Sequence, residues 1–301
     1  MTVILEAPER APDGRRPHWR MLWLDLTRKC ALSCTHCYNA SGPDETHGTM
    51  TRDDWLTVLD QAAGLGVEQV QMIGGEPTMH PHFAELLSHP LSVGLRVEVY
   101  SNLVRVTPAW WELFRRSGVS LATSYYSADA AAHDAVTQRP SHARTESNII
   151  TALRLGIPLR VGVIGVDADQ DVSKAVARLR DLGVTDVRVD HARPFGRAGA
   201  STDPAGLCGG CGNGRAAIGP TGDVTPCVMS AWLTVGNIRT APLSATLNGD
   251  GMAEAISTIC DARAGNEPLP PPGPQPPSGP CNPDDQECTP GTPLSTCNPR
   301  R

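Results

Sequence analysis

Long apolar runs, excess basic charge and an export signal are all missing from this chain. No stretch approaches the roughly 20 consecutive apolar residues that a membrane-spanning helix needs, so we expect no membrane association. The first residues lack the apolar core of a signal peptide, which favours a cytoplasmic protein. Lys and Arg number 26 against 32 Asp and Glu, a formal net charge of −6. Binding to phosphates needs a basic surface, so nucleic acid is excluded as the expected partner.

Cysteine is missing from the middle of the chain but frequent on either side of it. The chain has ten cysteines in 301 residues, and 40% of its residues are apolar, enough for a real core. No cysteine occurs in residues 38–207. Stable disulfides are rare in a reducing cytosol, so this number of cysteines indicates metal or redox chemistry. The cysteines are Cys30, Cys34, Cys37, Cys208, Cys211, Cys227, Cys260, Cys281, Cys288 and Cys297.

Between the two cysteine groups, short β-rich runs alternate with amphipathic stretches, a pattern typical of β-α units and a parallel sheet. Thr51 with Asp54 resembles a capping box, and Thr107 before Pro108 also predicts a helix start. The six units fit an incomplete (β/α) barrel or an open doubly wound sheet, and periodicity does not separate the two. The predicted strands are 21–26, 70–73, 95–100, 119–124, 159–164 and 187–190. The first predicted helix begins after Thr51, and the four that follow lie near 82–88, 108–117, 145–155 and 172–182.

After about residue 198 the sequence becomes rich in glycine, cysteine and turns. Thr221-Gly222-Asp223 predicts a hairpin that holds Cys211 close to Cys227. Residues 268–299 contain 12 prolines in 32 positions, which excludes regular helix or sheet there. We therefore expect an N-terminal extension (1–20), an α/β domain (21–198), a small Cys/Gly-rich β-hairpin module (199–262) and a Pro/Cys-rich tail (263–301).

The first cysteine group places three thiols on one loop directly after the first predicted strand. Cys30, Cys34 and Cys37 can hold three irons of a cubane cluster and leave the fourth iron open. A structural zinc site would need a fourth ligand nearby, and only His36 is obvious. Buried cysteines without metal are the remaining alternative.

The spacing C-x3-C-x2-C after a first strand resembles that of the radical SAM superfamily. Two further segments support this resemblance: the GGEP motif of the family is matched at the end of the second strand, and its ribose-contacting site at the end of the third. The family then implies a partial six-unit TIM-like barrel, a [4Fe-4S] cluster on the three cysteines, and bound S-adenosylmethionine (SAM). The implied SAM contacts are Gly74, Gly75, Glu76, Pro77, Ser101, Asn102 and, beside the adenine, His36.

These segments also have plainer interpretations. Glycines allow a close backbone approach, but Gly74 and Gly75 could simply form a β-α turn. Ser101 and Asn102 suit hydroxyl binding, although both residue types also make turns. The Ser124 to Tyr126 segment departs from the family's frequent Ser-x-Asp pattern, and whether Asp129 compensates stays open.

The second cysteine group has the arrangement C-x10-G-x4-C, which resembles the start of the SPASM or twitch extension of radical SAM enzymes. This resemblance implies an auxiliary iron–sulfur cluster on Cys208, Cys211 and Cys227, with Cys260 or a tail cysteine as the fourth ligand. A zinc ribbon is the alternative, because Cys208-x2-Cys211 is also zinc spacing. A second auxiliary cluster stays open. Arg193 is a candidate for binding a substrate carboxylate.

By resemblance, the chain is an enzyme that reductively cleaves SAM to a 5'-deoxyadenosyl radical, which abstracts hydrogen from a substrate. An electron donor such as a flavodoxin or ferredoxin is implied. SPASM relatives commonly crosslink or oxidise ribosomally made peptides, so peptide maturation is the first interpretation. Only about 20 residues precede the first strand, which leaves no room for a leader-binding domain and weakens it. The alternatives are a radical dehydrogenase of a sugar or aminocyclitol, and a non-enzymatic metal-binding scaffold.

Overall fold

A computed structural model describes residues 18–167 and 170–264 of the chain. Residues 1–17, which make up most of the predicted N-terminal extension, lie outside the described residues, as do Cys281, Cys288 and Cys297 of the predicted tail. Across the described ranges, no helix combines the length and the apolar character that crossing a bilayer requires.

The centre of the fold is a parallel sheet of six strands, which confirms the predicted α/β class. Each strand lies within one residue of its predicted bounds, and the strands neighbour each other in reverse chain order from β6 to β1. Sequential parallel neighbours joined by helices are the arrangement of a partial (β/α) barrel rather than a doubly wound sheet. The strands are β1 Met21–Asp25, β2 Gln69–Ile73, β3 Arg96–Tyr100, β4 Val119–Tyr125, β5 Leu159–Gly165 and β6 Asp186–His191.

Helices connect these strands and cover one face of the sheet. The predicted capping box is confirmed, because Asp54 N donates to Thr51 Oγ1 over 3.2 Å and Thr51 N donates to the Asp54 carboxylate over 2.8 Å. Thr107 likewise caps the third helix. The helices are α1 Arg52–Gly64, α2 Phe83–Ser92, α3 Pro108–Phe114, α4 Ala130–Thr137, α5 His142–Arg154 and α6 Val172–Asp181.

Three helices differ from their predicted bounds. The second continues past residue 88 and contains Pro90 in its last turn, the third ends three residues earlier than predicted, and the fifth begins three residues earlier. Helix α4 was not predicted. Its N-cap is Asp129, whose carboxylate accepts from Ala132 N over 2.8 Å, so this carboxylate is engaged in capping.

The C-terminal module extends the same sheet beyond β1. Strand β7 (Arg215–Ile218) pairs in parallel with β1, and β8 (Asp223–Thr225) and β9 (Gly236–Asn237) follow in antiparallel order. Gly222 forms the turn with a φ of 88°, which confirms the predicted hairpin. Helices α7 (Leu243–Leu247) and α8 (Asp250–Ala264) complete the module. The boundaries of the four predicted segments stay predictions.

Candidate active site

A cavity of about 490 Å³, called here the central cavity, lies inside the sheet and reaches the loops after β1, β2 and β3. Parallel strands bring their carboxyl ends together at one edge, which places these three loops side by side. The predicted site residues that line the central cavity are Cys30, Cys34, Cys37, His36, Gly74, Gly75, Ser101 and Asn102.

The two glycines allow the loop after β2 to close against the cysteine loop, defined here as residues 27–41. A Cβ at Gly74, whose φ is 141°, would lie 2.5 Å from Thr27 O, and one at Gly75 would lie 2.4 Å from Lys29 O. In return, Gly75 N donates to Thr27 O over 2.6 Å and Glu76 N donates to Lys29 O over 2.9 Å. The two glycines therefore let the loop after β2 approach the backbone of the cysteine loop closely, and both of them also line the central cavity.

Glu76 is buried and supports the loop after β3 from beneath. Its carboxylate accepts hydrogen bonds from Ser101 Oγ and Asn102 N, each over 2.9 Å, and from the backbone and hydroxyl of Thr78. Burial raises the pKa of Glu76, while these hydrogen bonds oppose the shift. Pro77 opens a short 3-10 turn. Neither Glu76 nor Pro77 is among the residues that line the central cavity, so their predicted contacts with SAM stay predictions.

The three thiols of the cysteine loop form a donor set suited to iron. Cys30 Sγ accepts from Leu32 N over 3.4 Å and from Asn102 Nδ2 over 3.7 Å, so donors that stabilise a thiolate already face it. Burial and the nearby Glu76 raise the pKa of Cys30 to about 12. Burial and Cys37 raise the pKa of Cys34 to about 11, so iron binding must displace these protons.

The three thiols of the cysteine loop fit a cubane cluster. Over residues 18–167 and 170–264, no three His, Cys, Asp or Glu side chains are grouped closely enough to hold one metal ion. A cubane cluster places each ligand on a different iron, so its thiolates do not need to converge on one point.

The rings of Tyr126 and His133 accompany the predicted His36 beside the cysteine loop. The His36 ring lies 4.9 Å from the Tyr126 ring, which in turn lies 5.1 Å from the His133 ring. Burial, together with the nearby Arg197 charge, lowers the pKa of His36 to about 4. His36 is therefore neutral at pH 7, as an aromatic neighbour of a bound adenine would be. All three side chains line the central cavity.

A buried ion pair crosses the lower part of the central cavity. Arg160 on β5 donates two hydrogen bonds of 2.7 Å to Glu98 on β3, and Gln71 on β2 also donates to Glu98. The Arg160 guanidinium lies 5.3 Å from the centre of the Tyr100 ring. This network was not predicted from the sequence. The signal that could have indicated it is Arg160, a charged residue inside the otherwise apolar strand β5.

The second cysteine group lies in an apolar cluster at the same end of the sheet. The Cys211 thiol hydrogen bonds with both Cys208 and Cys227, which confirms that the hairpin holds Cys211 and Cys227 together. The hydrogen bond from Cys211 lowers the pKa of Cys208 to about 6. Cys260 lies on α8 beside Ile259, which packs in this cluster, and its predicted ligand role stays a prediction. Phe195, Leu207 and Val228 complete the surroundings.

Arg193 lines the central cavity but is already engaged within the protein. Its guanidinium donates to Gly206 O over 2.9 Å and lies 3.6 Å from the Asp190 carboxylate. Its predicted contact with a substrate carboxylate would have to compete with these two partners.

Known proteins resemble this chain in two regions. The family model of the radical SAM superfamily matches residues 24–179, and that of an iron–sulfur cluster-binding domain, SPASM, matches residues 208–271. The AdoMet-dependent heme synthase of Methanosarcina barkeri is 28% identical over 187 residues, which cover 61% of this chain and 54% of that protein. The PqqA peptide cyclase of Streptomyces rochei is 27% identical over 175 residues, or 58% and 48% of the two chains. The chain thus spans about half the length of these relatives.

Solved structures share the fold at low sequence identity. SuiB of Streptococcus suis bound to the precursor peptide SuiA has a TM-score of 0.67 at 16% identity, covering 80% of this chain and 67% of SuiB. The protein anSMEcpe with bound AdoMet and Cp18Cys peptide has a TM-score of 0.62 at 13% identity, covering 80% and 83%. The first family model covers more than half of the chain, and its domain implies a [4Fe-4S] cluster and SAM, while SPASM implies an auxiliary cluster. This chain belongs to the radical SAM superfamily.

Proposed function

We propose that this chain is an enzyme that cleaves SAM reductively in the central cavity and modifies a ribosomally made peptide by crosslinking or oxidation. The observation that carries the proposal is that one cavity reaches both the first cysteine group and the segment that directly follows Cys227. Cys30, Cys34 and Cys37 line it from one side, and Val228 and Met229, which directly follow Cys227, line it from the other. A substrate in this space would contact the first cysteine group and the residues next to Cys227.

When bound, the reduced cluster supplies one electron that cleaves SAM to methionine and a 5'-deoxyadenosyl radical, which takes a hydrogen atom from the substrate. The chain's own residues bind and orient the reactants. Ser101 and Asn102 present small polar groups suited to hydroxyls, and Glu76 fixes both of them. The cavity walls exclude water from the reacting groups.

The auxiliary site would lie on the substrate side. Cys208, Cys211 and Cys227 would supply three of its ligands, and Met229 N donates to Cys227 Sγ over 3.5 Å. The apolar packing around these thiols limits solvent access to a cluster held there. The alternative is a zinc ion on the same three cysteines, and the metal analysis described below distinguishes it from a cluster.

A peptide is the substrate class that the comparisons favour. The relatives include PqqA peptide cyclases, and the fold neighbours include SuiB and anSMEcpe with bound peptides. The cavity of about 490 Å³ is within the range of small-ligand pockets, so it would admit SAM and one peptide side chain while the rest of the peptide stays outside. No observation favours the sugar or aminocyclitol dehydrogenase. We place this chemistry in the cytoplasm, with a flavodoxin or ferredoxin as electron donor.

The peptide assignment is tested with the products of short reading frames beside the gene. Each peptide is incubated anaerobically with reconstituted enzyme, SAM and reductant, and its mass is measured. A peptide that loses two hydrogen atoms only when SAM is present supports the proposal. The Cys30→Ala variant is the control and must give no mass change. Turnover of SAM with a small polyol, and unchanged masses for every adjacent peptide, would favour the dehydrogenase instead.

The auxiliary site is tested by metal analysis of the Cys30→Ala/Cys34→Ala/Cys37→Ala chain after reconstitution. Residual iron and sulfide support an auxiliary cluster on the second cysteine group. Zinc without sulfide would contradict it.

A further inference from the structure

The cysteine loop is held from two sides, by hydrogen-bond acceptors on one side and by hydrogen-bond donors on the other. On one side, its backbone N–H groups at Ser33 and Thr35 donate to Thr137 O and Val136 O at the end of α4, over 3.2 and 2.9 Å. On the other side, three of its carbonyl groups accept hydrogen bonds from one residue, Arg197. This residue lies in the short turn between β6 and the C-terminal module.

Arg197 makes three hydrogen bonds to the loop. Its guanidinium donates to Cys34 O over 2.8 Å and to Ser41 O over 2.7 Å, and its backbone N donates to Cys37 O over 3.0 Å. The fork of the guanidinium thus joins two carbonyls that are seven positions apart in the chain. Two of the three acceptors belong to cysteines of the cluster-binding group.

The neighbouring glycine makes this contact possible. Gly196 has a φ of 57°, and a Cβ at this position would lie 2.3 Å from Cys37 O and 2.4 Å from Tyr38 O. Only glycine therefore lets the turn approach the loop so closely. Phe195, one residue earlier, is fully buried in the apolar cluster that contains Cys211 and Cys227, with its ring 4.9 Å from that of Trp232. The turn is therefore anchored in the auxiliary cysteine site.

We propose that Arg197 is a positioning residue that holds the cysteine loop in its cluster-binding conformation and makes the cluster easier to reduce. This inference rests on the proposed function, because it assigns the cluster to Cys30, Cys34 and Cys37. The loop-holding part follows from the three hydrogen bonds. The redox part follows from charge, because a cation beside the loop stabilises the reduced cluster, which is more negative than the oxidised one.

Substitutions at this position separate the two effects. Arg197→Gln removes the charge and the fork, whereas Arg197→Lys keeps the charge with a single ammonium donor. The Arg197 side chain is exposed, so neither change should disturb the core. Arg180→Gln removes an exposed arginine from α6 and serves as the matched control.

Hydrogen exchange on the metal-free chain tests the loop-holding part. Cys37 N donates to Cys34 O and Ala40 N to Cys37 O, so the two amides report on the carbonyls that Arg197 binds. Their exchange is expected to become several-fold faster in Arg197→Gln than in the wild type, while Arg180→Gln has no effect. Equal rates in the wild type and Arg197→Gln would overturn the proposal.

An EPR-monitored redox titration of the reconstituted holoenzyme tests the second part, with the relevant cluster identified by the change of its signal on adding SAM. The midpoint potential is expected to become more negative in Arg197→Gln, to return most of the way in Arg197→Lys and to stay unchanged in Arg180→Gln. An unchanged potential in Arg197→Gln, or the same shift in Arg180→Gln, would overturn it. If Arg197→Gln retains no iron, its midpoint potential cannot be measured, and the hydrogen-exchange rates alone test the proposal. Wild-type holoenzyme that forms no 5'-deoxyadenosine would count against the proposed function, and the exchange result would still stand.

Discussion

Replacing Gly75 with alanine should separate the loop after β2 from the cysteine loop. The new Cβ would lie 2.4 Å from Lys29 O, 2.8 Å from Lys29 C and 2.9 Å from Arg28 O, all of them backbone atoms. Ordinary contacts begin at 3.4 Å, so the two segments would have to move apart by about 1 Å. The hydrogen bonds from Gly75 N to Thr27 O and from Glu76 N to Lys29 O would then weaken or break.

The expected cost follows from these contacts. Overpacking of this kind costs about 1–3 kcal/mol, and each weakened backbone hydrogen bond about 0.5–1.5 kcal/mol. The sum for Gly75→Ala is about 2–6 kcal/mol of unfolding free energy. At about 2–4 °C per kcal/mol, the melting temperature should fall by about 4–24 °C.

Thermal unfolding of the metal-free chain is the direct assay, and iron content after reconstitution is the second. The matched control is Gly64→Ala, because a Cβ at the last residue of α1 would meet no atom within 4 Å. This control should leave stability unchanged or raise it by about 0.5–1 kcal/mol. A Gly75→Ala chain that melts with the wild type and binds the same amount of iron would refute the reasoning.

Three further substitutions test other parts of the structure. Arg160→Met leaves the buried Glu98 carboxylate without its partner and should cost about 3–5 kcal/mol in urea unfolding. The double variant Glu98→Gln/Arg160→Met should recover most of that loss. Thr51→Ala removes the N-cap of α1 and should lower the unfolding free energy by about 1 kcal/mol. Glu76→Gln turns an amide group toward a buried donor, which should cost about 1–3 kcal/mol and weaken SAM binding measured by calorimetry.

Each of these changes has its own check. A double variant no more stable than Arg160→Met would argue against the ion-pair explanation. Thr57→Ala alters a threonine inside α1 that bonds to Asp53 O, and it should cost less than Thr51→Ala. Glu112→Gln, at an exposed carboxylate on α3 away from the central cavity, should leave SAM affinity unchanged. Equal losses of affinity in Glu112→Gln and Glu76→Gln would contradict the positioning role of Glu76.

The strands could be predicted from the sequence because buried parallel strands appear as apolar runs bounded by glycine or polar residues. Helix α4 escaped prediction for the opposite reason. Its buried residues are His133 and Thr137, which add nothing to an apolar pattern, and the Asp129 cap was its only signal. The C-terminal helix α8 was also missed, although its sequence after Gly251 is rich in alanine, the strongest helix former.

The motif residues of the site were predictable because each follows a strand, and the sheet brings the strand ends together. Contacts between distant segments were not. Arg197 bonds to Cys34 O across 163 positions, and Arg160 meets Glu98 across 62. No local pattern encodes either distance, since both depend on how the sheet curves.

The most direct test of the central claim is formation of 5'-deoxyadenosine. The chain is reconstituted anaerobically with iron and sulfide, reduced, and mixed with SAM, and the products are separated by liquid chromatography and mass spectrometry. The wild type should produce 5'-deoxyadenosine and methionine, and the Cys30→Ala, Cys34→Ala and Cys37→Ala variants should produce neither. No 5'-deoxyadenosine from iron-loaded, reduced wild type, or undiminished production by the three variants, would contradict the account.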